Sequence, residues 1–102
     1  MRALVYAGIG QKELHDRPRP GLRDATDAIV AMTRTTLCGT DLHILAGHVP
    51  TCEPGRILGH EGTGVVAEVG AAVTSVVPGD RVLLSCITSC GRCAMCGRGT
   101  SR

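Results

Sequence analysis

The chain has 102 residues, a formal charge of +2 and a single aromatic residue, Tyr6. That length holds one domain at most, with an aliphatic core that buries roughly two thirds of the unfolded surface. So small a charge gives no footing for a nucleic-acid surface, and no apolar run approaches the roughly 20 residues that span a membrane.

Met1 to Ala7 reads as a short strand closed by Gly8-Ile9-Gly10. Leu14 to Gly21 carries Pro18 and Pro20, which fits an extended edge and not a central strand. Ala28 to Leu37 is rich in β-branched residues and reads as a strand broken by Cys38-Gly39. Thr40 stands where an N-cap belongs, ahead of one or two helical turns that stop at Gly47. Val49 to Arg56 is a loop. Gly59 to Val69 is glycine-punctuated and then strand-like, Val73 to Val77 is a further β-branched run, and Pro78-Gly79-Asp80 is a turn into a strand from Arg81 to Leu84. Gly91 to Arg102 reads as a loop; after Asp80 there is no acid, while Arg81, Arg92, Arg98 and Arg102 follow, so the tail reads as solvated and basic. Five or more short strands with frequent turns predict a mainly β fold, a small barrel or sandwich.

The N-terminus has no long apolar run behind a basic start, so no secretory leader is expected and the chain is placed in the cytoplasm. Thiols stay reduced there, and clustered cysteines more often bind metal than form disulfides. The strongest cluster is Cys90-x-x-Cys93-x-x-Cys96, whose two consecutive two-residue spacings let three sulfurs converge on one ion. An iron–sulfur cluster is the rival reading, but ferredoxins continue with a cysteine and a proline where this chain has Thr100 and Ser101. Cys86 lies on the strand side and is a poor fourth ligand.

A second, dispersed constellation joins Cys38-Gly39-Thr40-Asp41-Leu42-His43 to Gly59-His60-Glu61-Gly62. Thiolate and imidazole are zinc ligands by type. Taken singly, Cys38 could equally be a small buried hydrophobe, and His60 with Glu61 a surface pair. The segment Gly62-Thr63-Gly64-Val65-Val66-Ala67 matches a relaxed dinucleotide fingerprint. It opens a β-branched segment where the fingerprint must open a helix, so its glycines are read as permitting close strand packing.

Together these motifs, with Pro78-Gly79-Asp80-Arg81-Val82, resemble the zinc-dependent medium-chain alcohol dehydrogenases, in order and in spacing, from Met1 to about Gly97. The resemblance implies a GroES-like, partly open β-barrel with one or two short helices and a cysteine-rich zinc loop. It implies that Cys38 and His60 are catalytic zinc ligands and that Glu61 is the neighbouring acid that can approach the metal. Thr40 would take the substrate proton, and His43 would be the outer end of the proton relay. Cys90, Cys93 and Cys96 would be three ligands of a structural zinc.

The family reaction oxidises an alcohol to an aldehyde or ketone with hydride transfer to NAD(P), zinc acting as a Lewis acid. In the family a fourth structural cysteine, a third catalytic ligand and the NAD(P)-binding Rossmann domain lie beyond the position of Arg102. Residues 1–102 are therefore expected to be the N-terminal part of the catalytic domain, with both zinc sites incomplete, the Rossmann domain absent and no turnover alone. Self-association is expected through the open edges Gly64 to Val69 and Arg81 to Leu84. The alternative is a small zinc-binding module of the same fold with no catalysis. A co-chaperonin-like ring subunit is a third reading, and it has no use for the cysteines.

Overall fold

The computed structural model describes residues 1–87 and 89–99. Arg102 of the basic tail, and Thr100 and Ser101 of the ferredoxin comparison, lie outside the described residues. The fold is mainly β, with five strands and two short helices among the described residues. The strands form a two-stranded and a three-stranded sheet that do not close into a barrel.

Strand β1 (Arg2–Gly8) turns through Ile9-Gly10 and pairs antiparallel with β2 (Gln11–Asp16). The expected edge segment from Leu14 to Gly21 is thus shifted toward the N-terminus. β2 ends before Pro18 and Pro20, which have no N–H to give to a ladder. The other side of β1 is covered by residues 55–58. Tyr6 donates to Arg56 O (2.8 Å), Gly55 to Tyr6 O (2.7 Å) and Leu58 to Leu4 O (2.9 Å). With backbone partners on both sides, β1 carries most of the core: Ala3, Val5 and Tyr6 are buried, together with Leu58 and Val66.

The second sheet has the order β3-β4-β5, from β3 (Ala28–Thr35), β4 (Gly62–Val69) and β5 (Arg81–Leu84). β4 is its central strand, paired on both sides, so Gly64 to Val69 is not the open edge the sequence led us to expect. A Cβ at Gly64 would collide with Ala31 O, and one at Gly62 with Arg34 O. These glycines serve close approach to β3, as read from the failed dinucleotide fingerprint. Pro78-Gly79 forms the turn into β5: Asp80 donates to Val77 O (3.1 Å), and Gly79 takes φ 96°, the positive φ that a type II turn requires. Val73 to Val77 is not a strand. No strand pairs with it among the described residues, and Val77 N–H goes instead to the Asp80 carboxylate (3.0 Å).

Helix α1 (Gly39–Leu45) follows β3. Its N-cap is Cys38, two residues before the expected Thr40, because the Asp41 carboxylate takes the Cys38 N–H at 3.0 Å and fixes the first turn there. The loop expected after Gly91 contains a single turn of helix, α2 (Ala94–Gly97), capped by the Cys93 sulfur, which accepts from Cys96 N–H at 3.4 Å.

Candidate functional site

Cys38 and His60 reach one another from separate elements. Cys38 is held at the N-terminus of α1, and His60 follows the segment that pairs with β1. Cys38 Sγ lies 3.1 Å from His60 Nε2. A sulfur and an imidazole nitrogen on one tetrahedral zinc stand about 3.5 Å apart, given Zn–S near 2.3 Å and Zn–N near 2.0–2.1 Å. The donor pair therefore fits that ion after a shift of a few tenths of an ångström.

Asp41 lies beneath this pair, and its importance was not read from the sequence. It is 1% exposed. Its Oδ2 accepts from Cys38 N–H (3.0 Å) and its Oδ1 from Gly59 N–H (3.2 Å). One carboxylate thus ties together the two segments that carry the donors. The same Oδ1 stands 3.8 Å from His60 Nδ1, where it favours an imidazole whose Nε2 faces the Cys38 sulfur. The ligand atoms of Cys38, Asp41 and His60 all lie within 4.8 Å of one another. Both carboxylate oxygens are already engaged by backbone donors, so we read Asp41 as a support and not as a ligand. The signal that could have found it is the three-residue spacing from Cys38, the spacing of a capping box.

Glu61 is not in that group. It borders, with His60, a cavity of about 580 Å³ between the sheets, whose lining includes Met32, Leu37, Ile57 and Leu84. Thr40 and His43 are both exposed and stand three apart on α1, so they share a helix face. His43 Nδ1 lies 3.0 Å from His48 Nδ1.

The three cysteines of the second cluster lie close together. Cys93 Sγ is 3.5 Å and Cys90 Sγ is 3.7 Å from Cys96 Sγ. Sulfurs around a tetrahedral zinc stand about 3.8 Å apart for Zn–S near 2.3 Å, so these two edges of the triplet are already close to those of such a site. Cys86 is exposed and stands outside the triplet. Backbone N–H groups of Arg92 (3.4 Å) and Cys93 (3.3 Å) point at Cys90 Sγ. These donors, followed by the Cys93 and Cys96 thiols, push the Cys90 thiol down to about 6. Cys93 is also lowered, first by the Cys96 N–H. Thiolates are the form that binds metal.

The chain is similar to a known domain family and to known proteins. The alcohol dehydrogenase GroES-like domain family matches residues 24–102. A zinc-type alcohol dehydrogenase-like protein of Bacillus subtilis is 38% identical over 94% of this chain and 25% of its own length. Zinc-type alcohol dehydrogenase B of Aspergillus flavus is 43% identical over 99% of this chain and 23% of its own. Among solved structures, zinc-dependent alcohol dehydrogenase 2 from Streptococcus pneumonia superposes with a TM-score of 0.91 at 49% identity, covering 97% of this chain and 28% of that one. The chain spans about a quarter of the length of these relatives. With its two sheets, its Cys38–His60 pair and its cysteine triplet, the chain belongs to the alcohol dehydrogenase GroES-like domain family.

Proposed function

We propose that the chain is the metal-bearing N-terminal portion of a zinc-dependent alcohol dehydrogenase catalytic domain, acting in the cytoplasm. The observation that carries this reading is the 3.1 Å approach of Cys38 Sγ to His60 Nε2 above a buried carboxylate. Cys38 and His60 would hold a catalytic zinc, with Glu61 nearby, and Cys90, Cys93 and Cys96 a structural one. When bound, the catalytic ion would supply Lewis acidity to the oxygen of a small alcohol or aldehyde.

The chain's own residues supply the rest. Asp41 keeps the thiol and the imidazole converged. The Thr40 hydroxyl would take the substrate proton and His43 would pass it outward, since hydride transfer alone leaves that proton behind. Turnover also needs NAD(P) held at reacting distance, about 3–3.5 Å. The matched domain occupies most of the 102 residues. We therefore expect the chain alone to bind zinc and not to oxidise alcohols.

X-ray absorption of the zinc-loaded variant with Cys90→Ser, Cys93→Ser and Cys96→Ser together, which removes every thiol of the triplet, tests the reading. One sulfur near 2.3 Å with nitrogen or oxygen near 2.0–2.1 Å is the expected shell. A shell with no sulfur would overturn it.

A further inference from the structure

Helix α1 ends in a Schellman cap. Gly47 takes φ 83°, its N–H goes to Ile44 O (3.0 Å), and His48 N–H goes back to His43 O (2.9 Å). The turn between β1 and β2 braces the cap: Gly10 donates to Leu45 O at 2.6 Å, and Ile9 packs against Gly47. This cap sets the residue after the left-handed glycine beside the third-last helical residue, and the contact is commonly hydrophobic. Here both positions are histidine. Their ring centroids are 5.3 Å apart with a 39° tilt, and the two Nδ1 atoms are 3.0 Å apart.

Two neutral imidazoles bonded Nδ1 to Nδ1 share one proton: one ring donates it and the other accepts. Which nitrogen of a histidine carries its proton is set by the hydrogen bond the other makes. We propose that His48 is a positioning residue for the proton path. It raises the share of the Nδ1–H tautomer at His43, which leaves His43 Nε2 bare and able to accept a proton.

The step balances. A proton arriving at His43 Nε2 is matched by passage of the shared proton from His43 Nδ1 to His48 Nδ1. His48 then carries the positive charge and loses its Nε2 proton to water. The use of this pair in catalysis rests on the proposed relay; the pairing itself does not.

Two-bond proton–nitrogen correlation spectra of the zinc-loaded, nitrogen-15-labelled chain, recorded above the imidazole titration range, test it. His15 is an internal reference, because its Nε2 lies 2.7 Å from a Glu13 carboxylate oxygen that can only accept. The expected result is a substantial Nδ1–H pattern at His43 that is lost in His48→Leu, where His43 comes to match His15. Leucine keeps the apolar cap contact, so the helix end survives the change. A wild-type His43 that already matches His15, or a pattern unchanged in the variant, overturns the proposal. A separate failure of zinc to bind at Cys38 and His60 would sink the dehydrogenase reading and leave the tautomer result standing.

Discussion

Asp41 has 1% of its surface exposed, yet each carboxylate oxygen accepts a backbone N–H, one from Cys38 and one from Gly59. Asparagine has a single carbonyl oxygen, so Asp41→Asn turns an NH2 group toward one of those donors. Leaving a buried donor unmet costs about 1–3 kcal/mol, and loss of such a supporting group costs about 10–100-fold in metal affinity. Chelator competition should show that loss at the Cys38–His60 site and none at the cysteine triplet. Equal affinity in variant and wild type would contradict the supporting role. The triplet stood out in the sequence by its spacing, whereas Cys38 and His60, ambiguous when taken singly, stood out only through the resemblance of their motifs to the alcohol dehydrogenases. Asp41 did not, because its role depends on burial and on an N–H eighteen residues away.

Cys90 offers a second test at this scale. Its folded-state pKa is depressed to about 6 by the Arg92 and Cys93 N–H groups, then by the neighbouring thiols. The ordinary thiol value is about 8.5. The contribution of the Cys90 thiolate to ordering its loop is therefore fully present above about 8.5 and is lost as pH falls through about 6. In metal-free chain, alkylation of the Cys90 peptide followed by mass spectrometry should reach half its limiting rate near pH 6. A midpoint near 8.5 would show that those N–H groups do not act on the sulfur.

At the scale of elements, β4 depends on glycines that allow it to approach β3. An added methyl at Gly64 meets Ala31 O, a backbone atom that cannot swing away. Gly64→Ala should lower stability by about 1–3 kcal/mol, the usual cost of overpacking. Gly21→Ala, where the new methyl meets nothing within 4 Å, should leave the urea midpoint where it is. Equal midpoints for the two variants would argue against the β3–β4 packing. The strand nature of this segment was legible, because β-branched residues follow the glycines at once. Its central place was not, since which strands flank it is a matter of topology. Val73 to Val77 misled for the same reason: it has strand composition, but no strand pairs with it among the described residues.

At the scale of the whole molecule, the buried hydrophobic set among the described residues is Ala3, Val5, Tyr6, Leu58 and Val66. Between the sheets lies the cavity of about 580 Å³, and Met32, Leu37, Ile57 and Leu84 on its lining remain partly exposed. β5 is an edge strand, and its Leu83 is 78% exposed. An apolar edge invites pairing with another chain. Sedimentation velocity should therefore show concentration-dependent association that Leu83→Lys reduces. A monomer at all concentrations would remove β5 as the contact. The thin aliphatic core was legible from composition, whereas the opening between the sheets depends on how they pack.

If one small β domain holds two separate zinc sites, zinc titration against a competing chelator should give two equivalents per chain. Cys38→Ser should weaken only one of them and Cys93→Ser only the other. The triplet should bind below the apparent ~10–16 kcal/mol of complete four-ligand zinc domains, because three thiols converge there among the described residues. Binding that neither substitution alters, or a single equivalent weakened by both, would contradict the presence of two sites.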